Sequence, residues 1–450
     1  MRVQVSRSSY LVLVSSSAVF VTFRILQWRA RSRARKTVER VKEMVEENQP
    51  LIVYWDLSVR ERILKAAIRR ASKWMSLNED PKPMVGQVGG AAVHKRPVLT
   101  LNPDYVLKPL LADHRGIREI AFYESLKILS NNPTNQTYST FLTGKQKEKS
   151  PLLKQAGEVF DTLALAFAIS IQDPVVTESE KALKDAWKVV KKEVEALHRL
   201  SKFTAPYYGV IGQPGVSHAP ECPFGVTDDA HLLLQDLTSN YSKPCVIDLK
   251  LGTQTFEPDA PPEKQERELG KYPEQAEFGF RIVGMRMYDP DHPDADEKGF
   301  RCFKKPYGRS LKSRDQILDA LRTFLCAGVE KPVIASEDKR IAEDGVNNFL
   351  TESVRCKTIA NLLVQLRQLR RWFEENKSLR FYASSLLLVY EGDTSKDNGS
   401  QDAATAKMID FGRVRRELGG DQAYRVGLRM LNSCLGEILD QEEERLGKHR

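Results

Sequence analysis

The stretch "KPCVIDLKLGTQTF", residues 243–256, constrains the fold more than any other part of the chain. Its run of apolar and small residues from Cys245 to Leu249 needs a buried strand, yet Asp248 and Lys250 interrupt it. Side chains alternate between the two faces of a strand, so positions 248, 250 and 252 share one face. A carboxylate and an ammonium therefore converge on one side of a buried strand, beside a glycine that lets a ligand approach the backbone. A structural ion pair at a strand end is the competing explanation, and the neighbouring segments bear on the choice.

Just upstream, "HLLLQDLTSN" (231–240) is an apolar strand that ends at Gln235, Asp236 and Leu237 and turns through Thr238, Ser239 and Asn240. Such a connector offers backbone groups to an adenine edge. Lys108 closes a strand-like run, "DYVLKPLL", and Glu119 sits in the helical stretch that follows. A strand lysine fixed by a helix glutamate is one way to hold ATP phosphates, although solvated Lys–Glu pairs are common. Lys264, Arg267 and Lys271 fall at helical spacing and set three cations along one side of a helix. That stripe suits a ligand with several phosphates, or equally a surface helix laced with Glu263, Glu266 and Glu268. Near the C-terminus, "ASSLLLVYEG" (383–392) predicts a strand preceded by two hydroxyls, Ser384 and Ser385. "KMIDFGRV" (407–414) predicts a strand that delivers Asp410, a hard oxygen ligand suited to magnesium on ATP.

The charge balance does not favour nucleic acid as a partner. Lys and Arg total 69 against 60 Asp and Glu, but residues 1–36 hold eight of the basic residues and no acid, leaving 61 against 60 in the body. The six cysteines show no metal-ligand or disulfide spacing. Residues 10–28 are mostly apolar and close to the length that spans a bilayer, and arginines follow at once. A membrane anchor with the body on the cytosolic side is expected by the positive-inside rule. An Arg- and Ser-rich organelle address is the alternative, with a cytoplasmic or nuclear body beyond that.

The ordered set "PCVIDLKLG", "KYPEQAEFGFRIVGMRMY", "YGRSL", "SSLLLVYEG" and "MIDFG", with "QVGG", "VLKP" and "REIAFYESL" before it, resembles the inositol polyphosphate kinase family. The resemblance implies an α+β fold of two lobes, ATP-grasp-like or protein-kinase-like, with an ATP cleft between them, and a hydrophobic helix would precede it. It divides the chain into an anchor or targeting segment (1–36), a helical spacer (37–85), an N-lobe (86–234) with an insertion at about 131–192, and a C-lobe (235–450).

By the same resemblance, Lys108 holds ATP phosphates with Glu119 orienting it, and the backbone of Gln235 and Leu237 binds adenine beside Asp236. Asp248 contacts the accepting hydroxyl or the ribose, Lys250 neutralises the transferred phosphoryl group, and Asp410 binds magnesium with Ser384 or Ser385 in support. Lys264, Arg267 and Lys271 read the phosphates of an inositol polyphosphate. Within the family the sequence looks most like the multikinases acting on tris- and tetrakisphosphates, with the hexakisphosphate kinases as runner-up. A catalytically inactive, membrane-anchored scaffold is the rival from another class. A protein kinase fares worst, because no HRD-type loop and no GxGxxG before Lys108 are present. Two departures stand out: Ala91-Ala92 after "QVGG", and Gly412-Arg413 where a histidine is usual, which turns attention to Arg413 as a phosphate contact.

Overall fold

The computed structural model describes residues 81–88, 97–126, 196–211, 231–326, 354–393 and 404–448, apart from short breaks and single positions within them. The chain divides into two compact units. One, residues 1–59 and 128–195, lies outside the described residues, and so do the apolar run at 10–28, most of the expected spacer and the whole of the expected insertion. The other, residues 60–127 and 196–450, carries all that follows.

Eight consecutive residues, Pro244–Leu251, form strand β6, and Cys245, Ile247, Leu249 and Leu251 are all fully shielded from water. A strand buried over most of its length belongs in the middle of a sheet, and β6 lies there. Counting from the N-terminus, β1 (Lys82–Pro83), β2 (Leu99–Asn102), β3 (Tyr105–Pro109), β4 (Tyr207–Ile211) and β5 (His231–Gln235) make a first sheet in the order β1-β2-β3-β5-β4. After β6 come β7 (Phe280–Tyr288), β8 (Phe300–Phe303), β9 (Leu379–Phe381), β10 (Ser385–Glu391), β11 (Ala404–Ile409) and β12 (Val414–Arg416). The second sheet has the order β11-β10-β6-β7-β8, and β9 pairs with β12 in a two-stranded ribbon. Every pairing between these described strands is antiparallel. With helices segregated from the sheets, the class is α+β, as expected.

Among the described residues the helices of the second half are α1 (Pro262–Gly270), α2 (Gln275–Phe278), α3 (Lys305–Ser310), α4 (Arg314–Leu325), α5 (Cys356–Glu375) and α6 (Gln422–Lys448). Ser313 starts α4 with a capping box: its hydroxyl accepts from the Gln316 N–H while the Gln316 side chain accepts from the Ser313 N–H. Leu362, Leu366, Leu369 and Phe373 repeat at three- and four-residue intervals on α5 and bury one face, as an amphipathic helix requires. Phe373 stacks on Tyr424 of α6 with ring centroids 4.3 Å apart and the planes 6° from parallel. Among the described residues no helix is long and apolar enough to cross a membrane.

Helix α6 approaches the second sheet through a pair of glycines. Gly279, at φ +69°, occupies a left-handed conformation at the end of α2, and a Cβ on Gly427 would fall 2.1 Å from the Gly279 carbonyl oxygen. Backbone meets backbone there, with no room for a methyl group. Gly427→Ala should therefore lower the unfolding free energy by about 1–3 kcal/mol, the usual cost of overpacking, measured by urea denaturation. An unchanged midpoint would mean that α6 is not seated in this way.

Candidate active site

Lys108 on β3 and Glu119 in the helical stretch that follows it meet directly, with Lys108 Nζ donating to Glu119 Oε1 at 2.6 Å. The same ammonium donates to Asp410 Oδ1 at 2.5 Å, across 302 residues of sequence. Glu119 is almost fully buried, and its Oε1 also accepts the Phe411 N–H at 3.0 Å. One glutamate oxygen thus fixes both the lysine and the backbone next to the aspartate. Burial alone would push the Lys108 ammonium down; Asp410 and then Glu119 outweigh it and hold its pKa above the ordinary lysine value. Burial would likewise raise the Asp410 carboxyl, but Lys108 and Lys250 outweigh it and keep the acid ionised.

Asp410 follows β11 with φ +66°, and Ala383 precedes Ser384 with φ +56°. Both are left-handed conformations, which for alanine cost about 1–2 kcal/mol. Strain of this kind persists where the surroundings over-determine it. Here Ser384 Oγ donates to the Asp410 carbonyl at 2.9 Å, and Lys250 Nζ donates to the Ala383 carbonyl at 2.8 Å. The two strained residues therefore link Lys250 to Asp410.

Asp248 and Lys250 share a face of β6, as the alternation predicted, and Ser385 of β10 pairs with Lys250 in register. Opposite Asp248 the register with β7 shifts, so that Asp248 faces Gly284 while Leu249 faces Ile282. Bulges of this kind re-aim side chains and are over-represented next to active sites. Asp248 Oδ1 and Ser385 Oγ are both buried without a hydrogen-bond partner. Burial lifts the Asp248 carboxyl from 3.8 to about 6, and Asp410 adds to this, while Lys250 and the nearby Ser385 hydroxyl pull the other way. Burial lowers the pKa of Lys250.

The connector after β5 has the expected form. Asp236 is buried, its Oδ1 accepting from the Thr238 N–H at 2.8 Å and the Thr238 hydroxyl at 2.6 Å, so the side chain shapes the turn. The Gln235 N–H donates to the Pro206 carbonyl at 2.9 Å, and Pro206 has no N–H to return to the Gln235 carbonyl. Of the two backbone groups expected of Gln235, only its carbonyl remains for an adenine edge. Leu237 begins the turn, half-buried.

The three-cation stripe is divided by the structure. Lys271 Nζ pairs with Glu268 Oε1 at 2.5 Å, and Glu268 lies in the field of Arg413 and Arg281. Lys264 is half-buried on α1 and Arg267 is exposed, and no described ion pair or hydrogen bond ties either to Lys250. Arg413 does join the site: its Nη1 donates to the Thr255 carbonyl at 3.1 Å, and its charge acts on Lys250 and Asp410. Arg281 was missed. It lies directly opposite Lys250 on β7, and its place was visible only inside "GFRIVGMRMY" as one arginine among apolar residues.

Residues 231–435 match the family described as Inositol polyphosphate kinase. Inositol polyphosphate multikinase from Homo sapiens is 32% identical over 44% of this chain and 38% of its own length. Inositol hexakisphosphate kinase 3 from Mus musculus is 31% identical over 47% of this chain and 51% of its own. The chain thus spans about half or less of the length of these curated relatives. A crystal structure of an inositol phosphate multikinase from S. cerevisiae in complex with ADP and Mn2+ aligns with 20% identity and a TM-score of 0.39, covering 53% of this chain and 90% of that one.

The buried Asp248 has a consequence for stability. A carboxyl held at about 6 in the fold, against 3.8 in the open chain, binds its proton more tightly when folded. The penalty for ionising it is absent below about pH 4, grows between the two values, and reaches about 3 kcal/mol well above pH 6. Asp248→Asn should therefore unfold at higher urea than the parent at pH 8 and at equal urea near pH 4. A variant less stable than the parent at pH 8 would contradict the assigned environment.

Proposed function

We propose that the chain is an ATP- and magnesium-dependent inositol polyphosphate kinase, multikinase-like, acting on inositol tris- and tetrakisphosphates. The observation that carries this reading is the convergence of Lys108, Asp410, Asp248 and Lys250, from three separated segments, with two strained residues linking Lys250 to Asp410. The family match of residues 231–435 and the multikinase names of the first relatives support it.

The donor set fits magnesium. Asp410 presents a hard carboxylate that is about a third exposed, and Asp248 Oδ1 and Ser385 Oγ are unpartnered oxygens close by. Among the described residues no group of three or more His, Cys, Asp or Glu forms a closed metal cage. One or two carboxylates completed by substrate phosphates is how magnesium is ordinarily held on a nucleotide. When bound, the ion would supply charge neutralisation at the nucleotide phosphates.

Phosphoryl transfer then needs alignment and electrostatic stabilisation from the chain. Lys108, oriented by Glu119, sits where it can neutralise the phosphate chain. The Gln235 carbonyl and the Leu237 turn receive the adenine edge. Lys250, anchored on the Ala383 carbonyl, directs its positive charge at the phosphoryl group in flight. Asp248, poised near pH 6, accepts a hydrogen bond or the proton from the attacking hydroxyl. Arg413 reads a substrate phosphate where the family usually carries a histidine.

The full chain should convert inositol tris- and tetrakisphosphates with magnesium and ATP, the products being resolved by chromatography. Lys250→Ala and Asp410→Asn should each lower kcat by at least about 100-fold while leaving the circular dichroism spectrum unchanged. Full activity in either variant would overturn the assignment, and no turnover of any inositol phosphate would favour the scaffold.

We also propose that residues 10–28 hold this catalytic body at a membrane, on the cytosolic side. Deleting residues 2–36 should move the protein from the membrane pellet to the soluble fraction. Unchanged partition would overturn the anchor.

A further inference from the structure

The loop between β6 and α1 is laced to the segment around β12. Its Thr255 carbonyl accepts from Arg413 Nη1 at 3.1 Å, its Glu257 Oε1 from Arg415 Nε at 2.9 Å, and its Asp259 Oδ2 from Arg415 Nη2 at 2.9 Å. Alternate residues of one segment thus meet alternate residues of the other. Arg413 and Arg415 share one short stretch of backbone, so the seat of one guanidinium sets the reach of the other. Two charge-assisted bonds hold Arg415 in that seat.

Glu257 is the centre of the lacing. It is buried, and the same Oε1 also accepts from Arg118 Nη1 at 2.7 Å. Arg118 adjoins Glu119 in the helical stretch after β3, and Glu119 is the acid that orients Lys108. The start of that stretch also rests on the turn before β12, where a Cβ on Gly412 would fall 3.2 Å from the Arg115 carbonyl oxygen. Burial alone would raise the Glu257 carboxyl, but the bonds from Arg118 and Arg415 outweigh it and hold its pKa below the ordinary value. One ionised oxygen therefore ties together three segments, across 139 and 158 positions of sequence.

A buried ion pair is weak evidence for stability, because desolvating the charges offsets much of their attraction. Its geometry is the more informative part, and the two arms of Glu257 lead to different sides of the reaction. Through Arg118 it reaches Glu119 and the Lys108 ammonium, which meets Asp410 where the nucleotide phosphates belong. Through Arg415 it reaches Arg413, which the kinase reading sets against an acceptor phosphate.

We propose that Glu257 is a positioning residue for phosphoryl transfer with two separable arms: Arg118 holds the helix that orients Lys108 on the nucleotide, and Arg415 holds Arg413 on the acceptor. Glu257 and Arg415 act through these neighbours and touch neither substrate. This inference rests on the kinase reading above and states how its two substrate sites are held relative to one another.

The test uses the full chain, with steady-state kinetics at varied ATP and at varied inositol tetrakisphosphate, below the thermal midpoint of each variant. Arg415→Gln should raise the acceptor KM about fivefold, with the ATP KM within about twofold of the parent. Arg118→Gln should show the reverse, an ATP KM raised about fivefold and an acceptor KM within about twofold. Glu257→Gln should do both, and adding Arg415→Gln to it should raise the acceptor KM no further, because the two residues act through one contact. Should Glu257→Gln fail to fold, the two arginine variants decide the matter by themselves. A bond that serves stability alone would lower the thermal midpoint and leave both KM values at those of the parent, and that result overturns the proposal. Equal rises of both KM values in each arginine variant, or additive effects of Glu257→Gln and Arg415→Gln, overturn it too while leaving the kinase reading intact. A parent chain that converts no inositol phosphate removes that reading, and the positioning role with it.

Discussion

Everything at the candidate active site depends on the Lys108 ammonium held between Glu119 and Asp410. Glu119 is buried and could not be left with an unpaired charge, because an isolated carboxylate in a low-dielectric interior is costly. Lys108 and the Phe411 N–H satisfy it together. This one contact joins the first sheet, which carries Lys108, to the turn after β11, which carries Asp410. The residues around it are consequently fixed from both sides. Removing either acid would leave the lysine half-neutralised where a nucleotide has to be aligned.

A second constraint is the burial of β6. A strand shielded over most of its length is a rigid support, so its charged face is held in a fixed place, as the proposed phosphoryl transfer would require. The support carries an energetic penalty: Asp248 sits with an unpartnered oxygen and a raised pKa, and Ala383 and Asp410 are held in left-handed conformations. Three unfavourable features within one hydrogen-bonded neighbourhood indicate that the local structure is shaped for a ligand and not for stability. Lys250 and Arg281, adjacent like charges on neighbouring strands, belong to the same pattern.

The match of residues 231–435 to the inositol polyphosphate kinase family agrees with the ordered motifs seen in the sequence. The structure adds to that agreement by dividing the basic residues of the region. Lys271, Arg413 and Arg281 gather around Glu268 and Lys250, whereas Lys264 and Arg267 lie on α1, which ends just before Lys271. Helical spacing placed Lys264, Arg267 and Lys271 on one side and could not say what that side faced.

The sequence by itself determined the local placements. Strand alternation put Asp248 and Lys250 on one face, the turn chemistry of Asp236 and Thr238 ended β5, and the apolar runs put Lys108 and Asp410 at strand ends. All of these follow from contacts within a few residues, where periodicity and backbone preference act. Only the tertiary structure decided which distant charges meet: Lys108 with Asp410 across 302 positions, and Arg281 with Lys250 through the register of β6 and β7. The bulge opposite Asp248 sets the register of the second pair, and it has no signal in the local pattern. Pairing between strands is fixed by the packing of the whole sheet, so a single arginine inside an apolar strand gave no sign of its neighbour.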